Sequence, residues 1–337
     1  MKAVGYTETG PIDRPNALID FEAETPVAMG HDLLVKVEAV SVNPVDTKIR
    51  RRRAPAEGAP DILGWDAAGE VVSIGDAVSR FSVGDKVYYA GAVNRPGTNS
   101  ELHLVDERIV GKAPGSIPAS AAAAMPLTTL TAYEMLFDRL RIDDPVPGGK
   151  KNLLIIGGAG GVGSITIQLA HVLSDVTIIA TASRPETKAW VQELGAHHVV
   201  SHAEALGPQI EALGIGSVDF VYSTTHSHLY SEEVAGIMTP QGRYGLIDDP
   251  ETFNIIPFKP KAISVHWEFL FTRPMFDTAD IERQGDILNE VASLIDTGKI
   301  RSTIADSFGA INAANLIKAH ALLESGKAKG KIVLEGF

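Results

Sequence analysis

A glycine-rich turn between an apolar segment and a helical one most constrains how this chain can fold. Residues 153–164 read LLIIGGAGGVGS. The four apolar residues predict a buried strand, and the SITIQLAHVL that follows predicts a helix. A turn of this kind presents backbone N–H groups and the positive end of a helix dipole to an anion. The segment therefore predicts a phosphate-binding βαβ unit.

The spacing of the glycines is typical of a dinucleotide-binding fingerprint. Gly158, Gly160 and Gly163 match G-x-G-x-x-G. The first glycine is expected to allow a tight turn, the second a close approach to pyrophosphate, and the third close helix–strand packing. Gly161 and Val162 lie between them and complete the predicted binding turn. The alternative is a glycine-rich turn without a ligand.

The flanking sequence predicts two domains. After Lys151, apolar strand-like runs alternate with helical stretches, which indicates a parallel sheet buried on both faces. The first third has short Val- and Tyr-rich runs broken by Gly, Asp and Pro, as in an irregular β barrel. We therefore predict an α/β protein, with a β-rich domain over 1–126 and 274–337. A doubly wound, Rossmann nucleotide-binding domain is predicted over 127–273.

The end of the second predicted strand favours NADP over NAD. An acidic residue there would bind the ribose hydroxyls of NAD, but the segment reads ATASR and carries none. Ser183, Arg184 and Lys188 suit a 2′-phosphate instead, because they offer a hydroxyl, a guanidinium fork and a point charge. Two alternatives stay open. Ser183 and Glu186 also fit a helix capping box, and Arg184 could simply be exposed.

Composition excludes several classes of protein. The 337 residues are 45% hydrophobic and 21% charged, with a net charge of −12, which argues against a nucleic-acid surface. No apolar run could span a bilayer and no secretory signal is evident, so we expect a cytoplasmic protein without a membrane partner. There are no cysteines, which excludes disulfides and thiolate metal ligands. The run Arg50–Arg53 is either a solvated loop or the flank of an anionic pocket.

Motifs along the whole chain resemble the medium-chain dehydrogenase/reductase superfamily, and in particular its quinone oxidoreductase-like branch. They are SVNPVDTKIR, ILGWDAAGEV, FSVGDKVYYAG, AAAMPLTTLTAYEML, IIGGAGGVGS and SGKAKGKIVLE. The resemblance implies that the β-rich domain is a GroES-like catalytic domain. It also implies hydride transfer with a nicotinamide cofactor. Members of this superfamily often dimerise through an edge strand, which would be KAISVHW here, so we expect a homodimer.

The resemblance also bears on whether this protein binds a catalytic zinc ion. Zinc alcohol dehydrogenases bind catalytic zinc at positions that match Asn43, Trp65 and Leu127 of this sequence. Trp and Leu offer no lone pair to a metal, and an amide is a poor zinc ligand. We therefore predict no metal and interpret Trp65 as an aromatic wall of the catalytic cleft. Reduction of a quinone or another conjugated carbonyl is then favoured over alcohol oxidation, because conjugation delocalises the charge that the hydride brings.

The resemblance suggests further site residues. Asn43 and Thr131 are expected near the nicotinamide end of the cofactor. Lys48 could donate to a carbonyl oxygen or be a surface lysine. His266, Trp267 and Phe271 are candidates for the acceptor pocket, although Trp267 and Phe271 could be core aromatics.

Other functions remain as alternatives. The histidines His197, His198, His202, His226 and His228 are the remaining candidate metal ligands, for which structural or surface roles are preferred. A zinc-dependent alcohol dehydrogenase and a catalytically idle NADP-binding protein are the alternative functions.

Overall fold

The computed structural model describes residues 1–56 and 58–337. These residues form two compact units. The first consists of Met1–Leu130 and Phe271–Phe337, and the second of Thr131–Leu270.

Sixteen strands lie among the described residues. In order they are β1 Lys2–Tyr6, β2 Ile19–Glu22, β3 Asp32–Val42, β4 Asp61–Ile62, β5 Ala67–Ile74, β6 Lys86–Tyr89, β7 Leu102–Asp106, β8 Gly111–Lys112, β9 Asn152–Ile156, β10 Thr177–Thr181, β11 His198–Val200, β12 Val218–Ser223, β13 Met238–Leu246, β14 Ser264–Trp267, β15 Ile304–Ser307 and β16 Lys331–Glu335.

The α-helices in the described part of the chain are five to fourteen residues long. In order they are α1 Pro44–Arg52, α2 Ala119–Ala123, α3 Pro126–Tyr133, α4 Gly161–Leu173, α5 Pro185–Glu193, α6 Leu206–Ala212, α7 Ser227–Ile237, α8 Thr272–Phe276, α9 Arg283–Asp296 and α10 Ala313–Glu324. A π-helical turn, Glu134–Arg139, continues α3, and 3₁₀ turns span Glu107–Ile109 and Ile256–Lys261.

The first unit is built on two sheets of mainly antiparallel strands. The smaller sheet has the order β2-β1-β4. The larger has the order β15-β16-β3-β5-β6-β8, and β7 also pairs with β3. Strand β3 runs through the centre of the larger sheet and contacts β5, β7 and β16. The β-rich texture predicted for this part of the chain is confirmed.

The second unit contains a parallel sheet of order β11-β10-β9-β12-β13-β14. Numbered from β9, this is the strand order 3-2-1-4-5-6 of a Rossmann fold. The order reverses between β9 and β12, which pair in parallel register from Phe220↔Leu153 to Ser223↔Ile156. A ligand site in such a sheet is expected in the crevice at the carboxyl ends of these two strands.

The apolar strands explain why this sheet is buried on both faces. All five residues of β9 and all six of β12 are buried. Leu154, Val221 and Leu246 belong to a hydrophobic cluster that helices α6 and α7 also enter through Leu206 and Val234. Burying such side chains removes apolar surface from water, and this is the main favourable contribution to folding.

No helix among the described residues is both long enough and apolar enough to span a membrane.

Candidate functional site

The glycine turn after β9 has the geometry of a phosphate-binding turn, and the Gly160 N–H closes it on the Gly157 carbonyl at 3.2 Å. The left-handed conformation belongs to Gly157, at φ 84°, and not to Gly158. A Cβ on Gly158 would lie 2.9 Å from Ala180 Cβ, so this glycine serves packing against β10. A Cβ on Gly163 would lie 2.3 Å from the Gly157 carbonyl oxygen, as expected for close helix–strand packing. Gly158 itself lies inside the turn, next to the left-handed Gly157, and its tight-turn role stays a prediction.

Gly160 differs from its neighbours because the described part of the protein does not require a glycine there. A Cβ on Gly160 would meet the Gly157 oxygen at 3.5 Å, an ordinary contact. Helix α4 begins directly after it, so Gly161, Val162 and Gly163 form the first turn. The N–H groups of a first turn have no acceptor within the helix. An open backbone approach beside these donors fits the pyrophosphate of a dinucleotide.

The end of β10 is held against the same turn. Thr181 accepts hydrogen bonds from the N–H of Gly157 through Oγ1 (2.9 Å) and from the N–H of Gly158 through its carbonyl (3.2 Å). Ser183 and Arg184 follow within three residues and are partly exposed, and Lys188 is exposed on α5. The structure thus brings the predicted 2′-phosphate residues to the same edge of the sheet as the glycine turn.

The cap of α5 differs from the one considered from the sequence. The N-cap is Arg184, and Thr187 Oγ1 accepts from the Arg184 N–H at 3.2 Å. Ser183 and Glu186 therefore do not form the box. Glu186 instead lies 3.1 Å from Arg184 Nε, and the Arg184 side chain is 42% exposed. A pair exposed to this degree is weak and exchangeable, so it leaves Arg184 able to contact an anion.

In the first unit, Asp66 forms hydrogen bonds to Asn43 and Leu127, two of the three residues that match the zinc ligands of zinc alcohol dehydrogenases. This carboxylate is fully buried. It accepts hydrogen bonds from Asn43 Nδ2 (2.8 Å), from the Leu127 N–H (2.7 Å) and from Lys331 Nζ (3.0 Å). Lys331 is itself buried, and it also donates to Asn43 Oδ1 and to the Val42 carbonyl. The amide of Asn43 is thereby held inside a polar cluster formed by Asn43, Asp66 and Lys331.

A second carboxyl lies beside this cluster. Asp46 Oδ2 accepts from the Asn43 N–H at 2.5 Å, and its side chain is buried. Burial raises the pKa of Asp46 to about 7, with the Asn43 N–H and the charge of Lys331 opposing the shift. Burial also raises the pKa of Asp66, against the opposing charge of Lys331. This region can therefore hold a proton on a carboxyl group near neutral pH.

Trp65 is covered by its own unit. It is 1% exposed, its indole N–H donates to the Ala92 carbonyl at 3.2 Å, and its ring meets Phe271 edge-on at 6.3 Å. The Arg53 guanidinium lies 5.7 Å from the ring centroid, within the range of a cation–π contact. Trp65 is thus packed in the interior, and its predicted contact with a substrate stays a prediction.

The residues at the three zinc-ligand positions do not suit zinc. The Trp65 indole is a donor only, Leu127 has an aliphatic side chain, and the Asn43 amide is already bonded to Asp66 and Lys331. Asp66 contributes a carboxylate here, but Lys331 neutralises it. A catalytic zinc needs three protein ligands of the imidazole, thiolate or carboxylate type. The donor set at these positions does not provide them.

The histidines do not supply a metal site either. Among residues 1–56 and 58–337, no group of three or more His, Cys, Asp or Glu side chains could hold a metal ion. His171 and His197 are neighbours, with ring centroids 5.8 Å apart. However, His197 Nδ1 accepts from the Ile178 N–H at 2.9 Å, so a neutral ring carries its proton on Nε2 and cannot use that atom for a metal.

The remaining predicted residues lie in different units. Thr131 is buried on α3, and its carbonyl accepts from Tyr222 Oη at 3.3 Å. His266 is partly buried on β14, with Nε2 at 2.9 Å from Ser264 Oγ, while Trp267 is 54% exposed, which excludes a core role for it. Phe271 is 2% exposed and packs in the first unit against Trp65, as a core aromatic. His266 and Trp267 are consecutive residues of β14, in the second unit.

Lys48 and the arginine run lie on and after α1. Lys48 is partly buried. Arg50 is fully buried, donates to the Gly10 carbonyl at 2.6 Å and pairs with Glu324. Arg53 pairs with Asp61 at 2.8 Å, whereas Arg51 and Arg52 are exposed. The run is thus neither wholly solvated nor wholly a pocket flank, because two of its members hold the first unit together.

Sequence reasoning missed Asp66 and Lys331 as members of the polar cluster, and Asp46 as the carboxyl beside it. The available signal was a charged residue inside an otherwise apolar segment, as in GKIVLE for Lys331 and GWDAAG for Asp66. A buried charge needs a partner, but the sequence does not indicate which one.

Comparison with known proteins assigns a segment in each half of the chain to a protein family. Residues 29–123 match the alcohol dehydrogenase GroES-like domain, and residues 194–334 match the zinc-binding dehydrogenase family. A zinc-type alcohol dehydrogenase-like protein of Staphylococcus epidermidis is 37% identical, over 99% of both chains. The crystal structure of a putative zinc-dependent alcohol dehydrogenase from Rhizobium etli is 53% identical, with a TM-score of 0.98, and covers 100% of this chain and 98% of that one.

More distant relatives carry more specific names. The 2-methylene-furan-3-one reductase of Solanum lycopersicum is 28% identical over 99% of this chain and 79% of its own length. The chloroplastic quinone-oxidoreductase homologue of Spinacia oleracea is 28% identical over 99% of this chain and 98% of its own.

These matches agree with the two units, the Rossmann strand order and the glycine turn. The predicted fold class, a GroES-like domain with a Rossmann domain, is confirmed. The fold is one that binds a nicotinamide dinucleotide. The chain belongs to the medium-chain dehydrogenase/reductase superfamily and is an oxidoreductase of that type.

Proposed function

We propose that this protein is an NADPH-dependent reductase that transfers a hydride to a quinone or another conjugated carbonyl or activated alkene, without catalytic zinc. The observation that carries the proposal is the donor set at Asn43, Trp65 and Leu127. Their side chains are an internally bonded amide, an indole donor and an aliphatic group. The names of the two distant relatives, a methylene-furanone reductase and a quinone-oxidoreductase homologue, agree with this substrate class.

The second unit would hold the cofactor. Gly160 and the first turn of α4 would bind the pyrophosphate through backbone N–H groups. Ser183, Arg184 and Lys188 would bind the 2′-phosphate, since no carboxylate follows β10 closely enough to favour a free ribose hydroxyl. When bound, the cofactor supplies a hydride from its nicotinamide ring.

A conjugated acceptor suits a site without a Lewis acid. Conjugation spreads the charge that arrives with the hydride, so hydrogen-bond donors can replace a metal. Lys48, at the partly buried position on α1, would donate to the acceptor oxygen. Besides the hydride, the reduction consumes one proton, which must come from solvent or from a protein acid. His266 and Trp267 on β14 are proposed to contact the acceptor.

An acceptor panel with matched controls tests this proposal. NADPH and NADH oxidation would be followed with 1,2-quinones, 1,4-quinones, α,β-unsaturated ketones and saturated ketones, before and after exhaustive chelation. We expect turnover of conjugated acceptors with NADPH, unchanged by chelation, and no stoichiometric zinc in the purified protein. Activity that is lost on chelation and restored by zinc would support the zinc alcohol dehydrogenase instead. Tight NADPH binding without turnover of any acceptor would support the catalytically idle protein.

We also propose a cytoplasmic homodimer. Strand β14 lies at the edge of the Rossmann sheet, paired with β13. Trp267 on this strand and Phe269, two residues after it, are 54% and 50% exposed. A sheet edge with exposed apolar side chains needs to be covered. Sedimentation equilibrium tests the dimer, and a monomer at micromolar concentration would contradict it. Fractionation of cells tests the compartment.

A further inference from the structure

Arg50 on α1 and His320 on α10 are basic side chains that the first unit buries completely. Arg50 donates to the Gly10 carbonyl at 2.6 Å and pairs with Glu324. Glu324 lies four residues after His320, so the two side chains are on the same face of α10. Arg50 therefore joins the loop between β1 and β2 to the face of α10 that carries His320.

Arg14 approaches the same place from the loop between β1 and β2. A Cβ on Gly10 would meet Arg14 Cδ at 3.0 Å and Nε at 3.2 Å, so Arg14 packs directly on the residue whose carbonyl accepts from Arg50. Arg14 also donates to the carbonyl of Glu8 at 2.6 Å and to its carboxylate at 3.3 Å. The Glu8 side chain is 77% exposed, so this pair compensates the charge of Arg14 only weakly.

Several nitrogen atoms of Arg14, Arg50 and His320 are buried without a hydrogen-bond partner within residues 1–56 and 58–337. They are Arg14 Nε, Arg50 Nε and both ring nitrogens of His320. A buried polar group that makes no hydrogen bond carries the full cost of its desolvation. Ordered water or a bound ion commonly satisfies such groups. The convergence of three such side chains in one place therefore indicates a shared ligand.

The charges around these side chains favour an anion over water. Burial lowers the pKa of Arg50, and the charges of Arg51 and Arg14 lower it further, although Glu324 opposes them. Burial, and then the charge of Arg50, lower the pKa of His320 to about 3, so its ring is neutral and offers one N–H. An anion would accept from this N–H and from the two Nε–H groups, and it would offset the repulsion between the cations. A water molecule would accept hydrogen bonds but carries no charge.

We propose that Arg14, Arg50 and His320 bind a small inorganic anion, of the size and charge of chloride or bromide, in the interior of the first unit. Their unpartnered atoms are buried, so the site suits an anion of one or a few atoms. The bound anion connects the loop between β1 and β2 to α1 and α10, and so stabilises the first unit. This inference is independent of the cofactor and of the acceptor in the proposed function.

Urea unfolding of the full-length protein in sodium bromide and in sodium gluconate, at equal ionic strength, tests the binding. Equal ionic strength keeps the screening of surface charges the same, and gluconate is too large for an enclosed site. We expect bromide to raise the folding equilibrium constant by a factor of 1 + [Br⁻]/Kd, which is about elevenfold at ten times Kd.

Two variants remove donors from the site. Arg14→Met and His320→Leu should each weaken bromide binding by about tenfold, the usual size of a charge-assisted hydrogen bond. Comparison of the two salts within one variant separates this effect from the variant's own change in stability. Arg80→Met is the matched control, because the Arg80 side chain is 25% exposed and ion-paired with Asp286, much as Arg14 is 18% exposed and paired with Glu8. It should keep the full bromide effect.

The anomalous scattering of bromide in crystals of the protein locates the ion. We expect a peak in contact with Arg14 Nε, Arg50 Nε and the His320 ring. Bromide found only at the surface, as an adventitious ion only, or a water molecule between these three side chains would overturn the inference. Equal stability in the two salts, a bromide effect that both variants retain, or one that Arg80→Met also removes would overturn it as well.

Discussion

Removal of Lys331 should destabilise the first unit far more than removal of an exposed lysine. Lys331 is 3% exposed and Asp66 is fully buried, with Nζ and Oδ2 3.0 Å apart. Lys331→Met leaves the buried carboxylate with the Asn43 and Leu127 donors but without a counter-charge. Breaking a buried pair in this way costs about 3–5 kcal/mol of unfolding free energy.

The unfolding free energy that Lys331→Met loses should grow as the pH rises. Burial already raises the pKa of Asp66 in the folded protein, and Lys331 opposes this shift. Without Lys331 the folded pKa rises further, so the folded state binds more protons than the unfolded state over a wider range. Stability contributed by a carboxyl with a raised pKa is present at low pH and is lost as the pH rises. The difference between wild type and Lys331→Met should therefore be smaller at pH 5 than at pH 8.

Urea unfolding, with hydrogen exchange of β3 and β5 peptides to assign the loss to the first unit, provides the measurement. Lys86→Met is the control, because Lys86 is 54% exposed and pairs with Glu38 and Glu70 on the surface. It should cost less than about 1 kcal/mol. The double variant Lys331→Met/Asp66→Asn should cost less than the sum of its single changes, by about 1–3 kcal/mol. Additive effects, or a Lys331→Met loss no larger than that of Lys86→Met, would refute the reasoning.

Three other predictions concern the cofactor turn and a buried histidine. Arg184→Ala should weaken NADPH binding by about tenfold with little effect on NADH, in calorimetric titrations; equal losses would remove the 2′-phosphate assignment. Gly163→Ala places a Cβ 2.3 Å from a backbone oxygen and should abolish measurable binding of either cofactor, whereas Gly236→Ala, which meets no atom within 4 Å, should not. His320 is fully buried, and burial lowers its pKa to about 3 in the folded protein. The unfolded chain therefore binds a proton at His320 before the folded protein does, and the free energy of unfolding falls as the pH drops below the ordinary pKa of histidine. His320→Leu should therefore reduce the loss of stability between pH 7 and pH 5 by about 2 kcal/mol in urea unfolding, and an unchanged pH slope would contradict the lowered pKa.

Local patterns allowed the Rossmann unit and its binding turn to be predicted. Leu153–Ile156, the glycines and the following helix are contiguous, and each acts through its own backbone and nearest neighbours. Within this turn Gly157 takes the left-handed conformation and Gly158 has an ordinary φ, a difference that the fingerprint does not predict. Two adjacent glycines are equivalent in sequence, and only the packing of Ala180 and Thr224 against them distinguishes their roles.

The polar cluster of Asn43, Asp66 and Lys331 was decided by tertiary structure alone. Asp66 and Lys331 are 265 residues apart, and Asn43 and Lys331 are 288 apart. No local pattern records that β16 pairs with β3 and so brings Lys331 beside Asn43. For the same reason the sequence left Phe271 open between a pocket and a core position, and the fold packs it against Trp65.

The sequence by itself determined the strand–turn–helix unit, the absence of an acid after β10 and the lack of zinc ligands at three positions, because these depend on residue types at short spacing. Only the tertiary structure decided how the buried charges are paired and that Trp65 is covered. Those features depend on which strands become neighbours, and strand order is a property of the folded chain as a whole.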